Sequence, residues 1–442
     1  MSHAPLIDQA WQHALAGETD AALRIAIALV EEDAEQISAT HLIARSLVAA
    51  GRTSAADACA KLAEGYSRRG DLPAAIACAK LSSDAGGDGA KIRKRLAEVF
   101  GKGSKRLADV SPTPPPLPGS PKVDAALAKL SGDALLDRAE EALAEGVAGA
   151  STLNEGPVPA LPLFSALAPK PLARLFGAMS VRGLTTGERL IEQGAEGREA
   201  FVVVHGILRA ERVPMNADRA TLAEPPAVLA VLGPGAIVGE MALVSDSPRA
   251  AAVVAQEPTE VLVVGRTELE AIAKDEPAIG HELGEFCRAR MIANLVRHSL
   301  ILGAVPAGDR EALMQRFTTK TFAAGETLVA EGTESEGLFV VASGTVRVTK
   351  KDADGEPIVL ADLGPGDVVG EIGIVLRRPA TATVRALSPA VAMELTRERF
   401  AEAIKAHPTL LGELYQLATD REEETRTVVA QEVLDVGDAI LL

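Results

Sequence analysis

The sequence predicts a multidomain α + β protein: an N-terminal all-α helical repeat region, then two β jelly-roll barrels with flanking helices. Three observations carry that prediction. Residues 1 to about 103 place apolar side chains at helical spacing without β-branched alternation, as in ETDAALRIAIALVEED and SATHLIARSLVAAG. Beyond residue 161 the texture changes to Val-rich runs bounded by Gly or Pro, AFVVVHGILRA and EVLVV, then LFVVASGTVRV and PIVLADL. The second set of runs repeats the first, turn glycine for turn glycine.

The helical region comes first. Three turn-like peptides recur in it: GETDAAL from Gly17, GRTSAAD from Gly51 and GDLPAAI from Gly70. The first two lie 34 residues apart and the third follows after 19. The 34-residue period is that of tetratricopeptide repeats. Residues 1–103 therefore resemble a tetratricopeptide-like helical domain, which implies a protein partner. SPTPPPLPGSP, 111–121, carries six prolines and reads as an extended spacer. The interval 104–160 is accordingly expected to be a linker with short helices, VDAALAKL and DALLDRAEEALAE, broken at Ser131-Gly132.

Two blocks follow, 161–299 and 300–442, and they align. TTGERLIEQGAEGREAFVVVHG matches AAGETLVAEGTESEGLFVVASG, so Gly187, Gly194, Phe201 and Gly206 fall on Gly325, Gly332, Phe339 and Gly344. LGPGAIVGE matches LGPGDVVGE, which places Glu240 on Glu371. Glycines at the same turns of short strands imply one jelly-roll barrel made twice. His205 and Ser343 precede matching glycines and read as turn positions. RERFAEAIKAHPTLLGELYQLATDREEETRTVV reads as one long C-terminal helix, and the final AILL as a tail.

The peptide VGEMALVSDSPRAAAV is apolar and Ala-rich, yet holds one acid, Glu240, and one base, Arg249. Gly239 lets the chain turn tightly after a strand. The residues after it can begin a short helix with free N–H groups. Small side chains at Ala242, Ala250 and Ala251 leave the backbone, Met241 included, open to a ligand. Arg249 offers a fork that fits phosphate oxygens, whereas Glu240 needs a donor such as a sugar hydroxyl. An anion, a sugar hydroxyl and a barrel for an apolar base together describe a nucleotide.

With those residues in view, both blocks resemble the cyclic nucleotide-binding domain family, and VGEMALVSDSPRAAA is similar to its phosphate-binding cassette. The resemblance implies that Glu240 takes the ribose 2′-hydroxyl and Arg249 the cyclic phosphate. Backbone from Gly239 to Ala242 and around Ala250 and Ala251 would complete the site. It also implies a preference for cAMP over cGMP, because Ala250 stands where family members favouring cGMP often carry a hydroxyl. Finally, it implies that a helix after the barrel, within 279–300, closes over the base. Tandem barrels behind a helical segment resemble the layout of cAMP-dependent kinase regulatory subunits.

The second copy, VGEIGIVLRRPATATV, departs from the pattern. Gly370, Glu371 and Ile372 are kept, but Gly373 stands for Ala242 and Ala380 for Arg249. Arg377 and Arg378 come three and two positions early. A buried phosphate without its Arg loses hydrogen bonds of roughly 1.5–3 kcal/mol each. The second site is therefore expected to be weak or empty unless Arg377 or Arg378 reaches round.

The whole-chain properties bound the rest. The 442 residues suggest about three domains. Hydrophobic residues make up 47% but aromatics only 3%, so Ala, Val, Leu and Ile must build the cores. No apolar run approaches the roughly 18 residues of a membrane span. MSHAPLIDQA lacks a basic stretch ahead of an apolar one, so a cytoplasmic location is expected. The net charge of −16 argues against a nucleic-acid partner, as does a C-terminal stretch too short and acidic for a helix-turn-helix. Cys59, Cys78 and Cys287 form no CxxC and read as small buried hydrophobes in a reducing compartment. No metal spacing and no catalytic motif stands out. HELGE at His281 has Glu285 where HExxH needs its second His. The expectation is a non-enzyme: a cyclic nucleotide sensor and adaptor with no cofactor beyond that ligand. Three alternatives stay open, namely a scaffold with vestigial barrels, an enzyme without a visible motif, and a cyclic dinucleotide in the pocket.

Overall fold

The computed structural model describes residues 5–115, 119–152, 154–213, 226–298, 305–352 and 354–439. The helices Leu6–Leu15 (α1), Thr19–Glu32 (α2), Ile37–Ala49 (α3), Ala55–Arg69 (α4), Leu72–Asp84 (α5) and Gly89–Phe100 (α6) form the N-terminal array. The three recurrent peptides lie between α1 and α2, α3 and α4, and α4 and α5. Gly17, Gly51 and Gly70 hold φ of 83°, 77° and 79°, the left-handed conformation that ends a helix. Asp71 and Asp88 then cap the next helices by accepting from the backbone N–H groups of Ala74 and Lys91.

In the interval 104–160, VDAALAKL holds the short 3-10 helix Leu127–Lys129, while DALLDRAEEALAE belongs to a longer helix that packs into the array. Gly132–Ala150 is a single 19-residue helix (α7) that buries Leu135, Ala139, Ala142 and Leu143 in the array's core. Its small face is what admits it. A Cβ on Gly146 would stand 2.2 Å from Thr40 Oγ1, and one on Gly149 would stand 2.1 Å from the Ala34 carbonyl. The break at Ser131-Gly132 is the start of this helix.

The first barrel follows helix Pro169–Ala178 (α8). Its strands are Ser180–Leu184 (β1), Arg189–Ile191 (β2), Glu199–His205 (β3), Leu208–Arg212 (β4), Ala227–Leu232 (β5), Ile237–Val238 (β6), Ala252–Ala255 (β7) and Thr259–Gly265 (β8). They form two four-stranded antiparallel sheets ordered β1-β8-β3-β6 and β2-β7-β4-β5. The helices Arg266–Asp275 (α9) and Ala278–His298 (α10) lead out, and Arg310–Met314 (α11) precedes the second barrel. That barrel uses Thr318–Phe322 (β9), Thr327–Val329 (β10), Gly337–Ser343 (β11), Val346–Lys351 (β12), Pro357–Leu363 (β13), Val368–Val369 (β14), Thr383–Ala386 (β15) and Ala390–Thr396 (β16). Its sheets, β9-β16-β11-β14 and β10-β15-β12-β13, repeat the order of the first. The expected multidomain α + β architecture is the one observed. The C-terminal stretch is two helices rather than one. It breaks at His407, before Pro408, into Arg397–Ala406 (α13) and Pro408–Ala439 (α14). Of AILL, Ile440 to Leu442 lie outside the described residues.

The helical array and the first barrel share one core. Ala200, Val202, Val204, Leu262 and Val264 from one sheet face pack with Trp11, Ile27 and Leu42 of the helices. A buried polar cluster pins this seam. Arg45 Nη1 donates to Glu260 Oε1 at 2.5 Å, and His41 Nε2 lies 3.6 Å from Glu260 Oε2. His205 is more than a turn residue, because its ring stacks on Trp11 with centroids 4.7 Å apart. Ser343 likewise reaches across to the first barrel, hydrogen bonding Ser247 at 3.0 Å.

Helix α10 joins the two barrels mechanically. Ile279, Leu283 and Cys287 lie in the first core, while Met291 and Leu295 lie in the core of the second barrel. Among the described residues, no helix is long and apolar enough to cross a membrane, and no cluster of three or more His, Cys, Asp or Glu could hold a metal.

Candidate functional site

In the first barrel, β6 ends at Gly239, whose φ of 76° turns the chain into a 3-10 turn over Glu240–Leu243. That turn buries Glu240 and Ala242, while Met241 packs against the core shared by the helical array and the first barrel and against the core of the second barrel. Arg249 lies nine residues after Glu240, its backbone zipped to the opposite turn. Arg249 N–H donates to Ala195 O at 2.9 Å, and Gly194 N–H donates to Arg249 O at 2.8 Å. The guanidinium is anchored from below: Nη1 donates to Gly239 O at 2.9 Å and Nη2 to Glu199 O at 2.7 Å. Desolvation lowers its pKa while Glu199 and Glu240 oppose that shift. The neighbouring Gly197 leaves the guanidinium its room, since a Cβ there would sit 2.5 Å from Nη2 and 2.6 Å from Nε. Ala250 is exposed and Ala251 partly so, beside the guanidinium.

Glu240 does not pair with Arg249. Its carboxylate faces Arg290 of α10, whose Nε lies 3.5 Å from Oε1, and Arg290 Nη2 donates to Ile237 O at 3.1 Å. Cys287 Sγ donates to Glu240 O at 3.5 Å, and burial raises that thiol to about 12. The helix expected to close over the site, 279–300, thus reaches it through Cys287 and Arg290. Neither was singled out in the sequence as a site residue. All three cysteines are free and buried.

The second barrel repeats this frame with different side chains. Gly370, at φ 82°, opens helix Glu371–Val375 (α12), which buries Glu371 and Gly373 and leaves Ile372 partly exposed. Ala380 stands where Arg249 stands: Ala380 N–H donates to Thr333 O at 2.8 Å and Gly332 N–H donates to Ala380 O at 2.8 Å. The carbonyls that hold the guanidinium in the first barrel have a new donor here. Ser335, at the position of Gly197, gives its hydroxyl to Gly337 O at 2.9 Å and is 3.4 Å from Gly370 O. Gly373 follows from Ser335, because a Cβ on Gly373 would meet Ser335 Cβ at 2.8 Å. Arg378 does not reach into the vacated place; its Nη2 is paired with Glu422 Oε2 at 2.6 Å. Arg377 is exposed, with a φ of 52°.

Arg421 of α14 is the second copy's Arg290, displaced by the same 131 residues that separate Glu240 from Glu371. Its Nη1 is 2.9 Å from Glu371 Oε1 and also binds Val368 O, the equivalent of Ile237 O. Beneath it is a cavity of about 260 Å³, lined by Glu371, Gly373, Ala380 and Val384 below and by Arg421 and Val428 above.

Residues 181–276 and 319–407 each match the family model described as the cyclic nucleotide-binding domain, so the chain carries that domain twice. Among curated proteins, a cAMP-dependent protein kinase regulatory subunit of Yarrowia lipolytica is 29% identical over 217 residues, covering 49% of this chain and 51% of the relative. The chain thus spans about half the length of that relative. Among solved structures, the regulatory domain of Toxoplasma gondii PKA with cAMP is 25% identical, covering 58% of this chain and 92% of that one at a TM-score of 0.28. The regulatory subunit of a cAMP-independent protein kinase A from Trypanosoma cruzi, bound to guanosine, is 22% identical, covering 61% and 88% at a TM-score of 0.29.

Proposed function

We propose that the chain is a non-catalytic, cytoplasmic cyclic nucleotide sensor in which the first barrel takes cAMP in preference to cGMP. The observation that carries this reading is the anchored guanidinium of Arg249 standing in one cassette with the buried carboxylate of Glu240. Two carbonyls orient the guanidinium, which has five N–H donors, so its fork is preorganised for an anion. Glu240 Oε1 holds only a loose pair with Arg290 at 3.5 Å, which leaves the carboxylate able to accept from sugar hydroxyls. Ala250 offers no hydroxyl to guanine, which supports the preference for cAMP.

The signal would travel through α10. This helix touches Glu240 through Cys287 and Arg290 and continues into the second barrel's core at Met291 and Leu295. A ligand hydroxyl that competes for Glu240 changes what Arg290 binds, and so where α10 rests. The helical array, fused to the first barrel by a shared core, is the surface we assign to a protein partner. Calorimetric titration with cAMP and cGMP tests the reading. Micromolar cAMP binding is expected, weakened at least about tenfold by Arg249→Ala. No heat from either nucleotide at millimolar concentration, with an unchanged melting temperature, would overturn it.

A further inference from the structure

We infer that the solvent face of α6, with the turn after it, binds an acidic peptide segment of a protein partner. This deepens the assignment of a protein partner to the helical array and rests on it. An imbalance of charge marks the place. Residues 89–106 carry seven Lys and Arg against one acid, Glu98, in a chain whose net charge is −16. Leu96, Ala97 and Phe100 turn one side of α6 into the array's core. Lys91, Lys94 and Arg95 then fall, at helical spacing, on its exposed side. Lys102 and Lys105 follow, also exposed, in the turn beyond.

The arginines of this stretch are committed and the lysines are not. Arg93 Nη1 donates to Ser83 Oγ at 3.1 Å, Arg95 Nη1 to Glu64 Oε1 at 2.7 Å and Arg106 Nε to Gly156 O at 2.9 Å. Among the described residues, Lys91, Lys94, Lys102 and Lys105 enter no ion pair. Physiological salt screens exposed charges over about 8 Å, so acids elsewhere on the chain do not cancel these four.

The surroundings discriminate among anionic partners. Ile92 and Val99, half-buried, line a groove with Arg68, Arg95 and Arg106. Its volume of about 30 Å³ admits the tip of a side chain but no base or sugar ring. No large apolar side chain is exposed within 89–106, so the patch has nothing to insert into a membrane. Its single aromatic, Phe100, is fully buried, so nucleic-acid bases would find no ring to stack on. A short acidic chain needs neither. Its carboxylates meet the lysines, and one apolar side chain can rest on Ile92 and Val99.

The test is fluorescence anisotropy of the full chain with a fluorescein-labelled peptide of glutamates interspersed with leucines. Binding is expected at low salt, weakening as sodium chloride is added, and none is expected for the matching lysine–leucine peptide. Lys91→Glu, Lys94→Glu, Lys102→Glu and Lys105→Glu, combined, should weaken it at least about tenfold at an unchanged melting temperature. Reversal of two exposed lysines elsewhere, Lys351→Glu with Lys405→Glu, should leave it as it was. The inference is overturned if the acidic peptide gives no anisotropy change at low salt, or if its binding survives the patch reversal or falls equally in the control. Phosphatidylserine vesicles or a DNA duplex held by the patch more tightly than the peptide would overturn it too. A cAMP titration of the same chains keeps the two readings apart. Lost peptide binding with intact cAMP binding sinks this inference alone, and the converse sinks only the sensor.

Discussion

Gly197 and Ser335 show how much of each cassette's geometry depends on a residue outside the cassette itself. In the first barrel the glycine makes room for the Arg249 guanidinium; in the second the serine replaces it as donor to the same pair of carbonyls. Gly197→Ser should therefore push the guanidinium from its anchors and weaken cyclic nucleotide binding at least about tenfold in calorimetry, with little loss of stability. The exchanges of Arg249 for Ala380 and Ala242 for Gly373 were legible by alignment, since both lie in the quoted cassettes. Their dependence on Ser335 was not, because it runs through carbonyls that meet only in the folded barrel.

The seam residue His41 gives a second residue-scale prediction. Burial, and then Arg45, lower its pKa from 6.5 to about 3. The unfolded chain takes up a proton near pH 6.5 that the folded seam refuses. Stability from this group is thus complete above about 6.5 and is lost as pH falls from there towards about 3. Glu260 acts in the opposite sense, since burial raises its pKa and the folded state protonates first. His41→Gln should make the fall in melting temperature between about pH 6.5 and 4.5 shallower than in the parent chain.

At the scale of elements, α10 and α14 do the same work for the two barrels. Each lays an arginine across the cassette glutamate and one strand carbonyl, with Arg421 on Glu371 the tighter pair at 2.9 Å against 3.5 Å for Arg290 on Glu240. The family resemblance implied a helix within 279–300, and the sequence reading placed α14 inside one long C-terminal helix. Neither reading could reveal the shared arginine, because a contact between a helix and a cassette glutamate some 50 residues away has no local spacing. The break before Pro408 was merged into one helix, although the proline disfavours helical backbone at His407. Removing the arginine leaves a carboxylate only 3% exposed without its cation. Arg421→Ala should cost the second barrel about 1–3 kcal/mol in urea denaturation, even if α14 stays docked.

At the scale of the molecule, three units were expected from texture and repeat, and the structure joins the first two. The strands carrying Val202 and Leu262, AFVVV and VLVV, are apolar on both faces, which fits a sheet covered outside as well as inside. GLFVVA of the second barrel is equally apolar, however, so the run does not tell that the N-terminal helices are what covers the first. The same holds for α7, whose Gly146 and Gly149 gain meaning only against Thr40 and Ala34. Trp11 is fully buried where α1 meets His205 and Arg45. Trp11→Ala should cost about 3–5 kcal/mol, and helical and barrel signals should be lost in one transition at lower denaturant.

The central claim is that the two barrels are unequal, with the first alone equipped for a cyclic phosphate. Equilibrium dialysis of the full chain against labelled cAMP tests it most directly. The account predicts saturation at one cAMP per chain, with that single site weakened by Arg249→Ala and untouched by Arg378→Ala. Saturation at two per chain, or at one that depends on the second barrel, would contradict it.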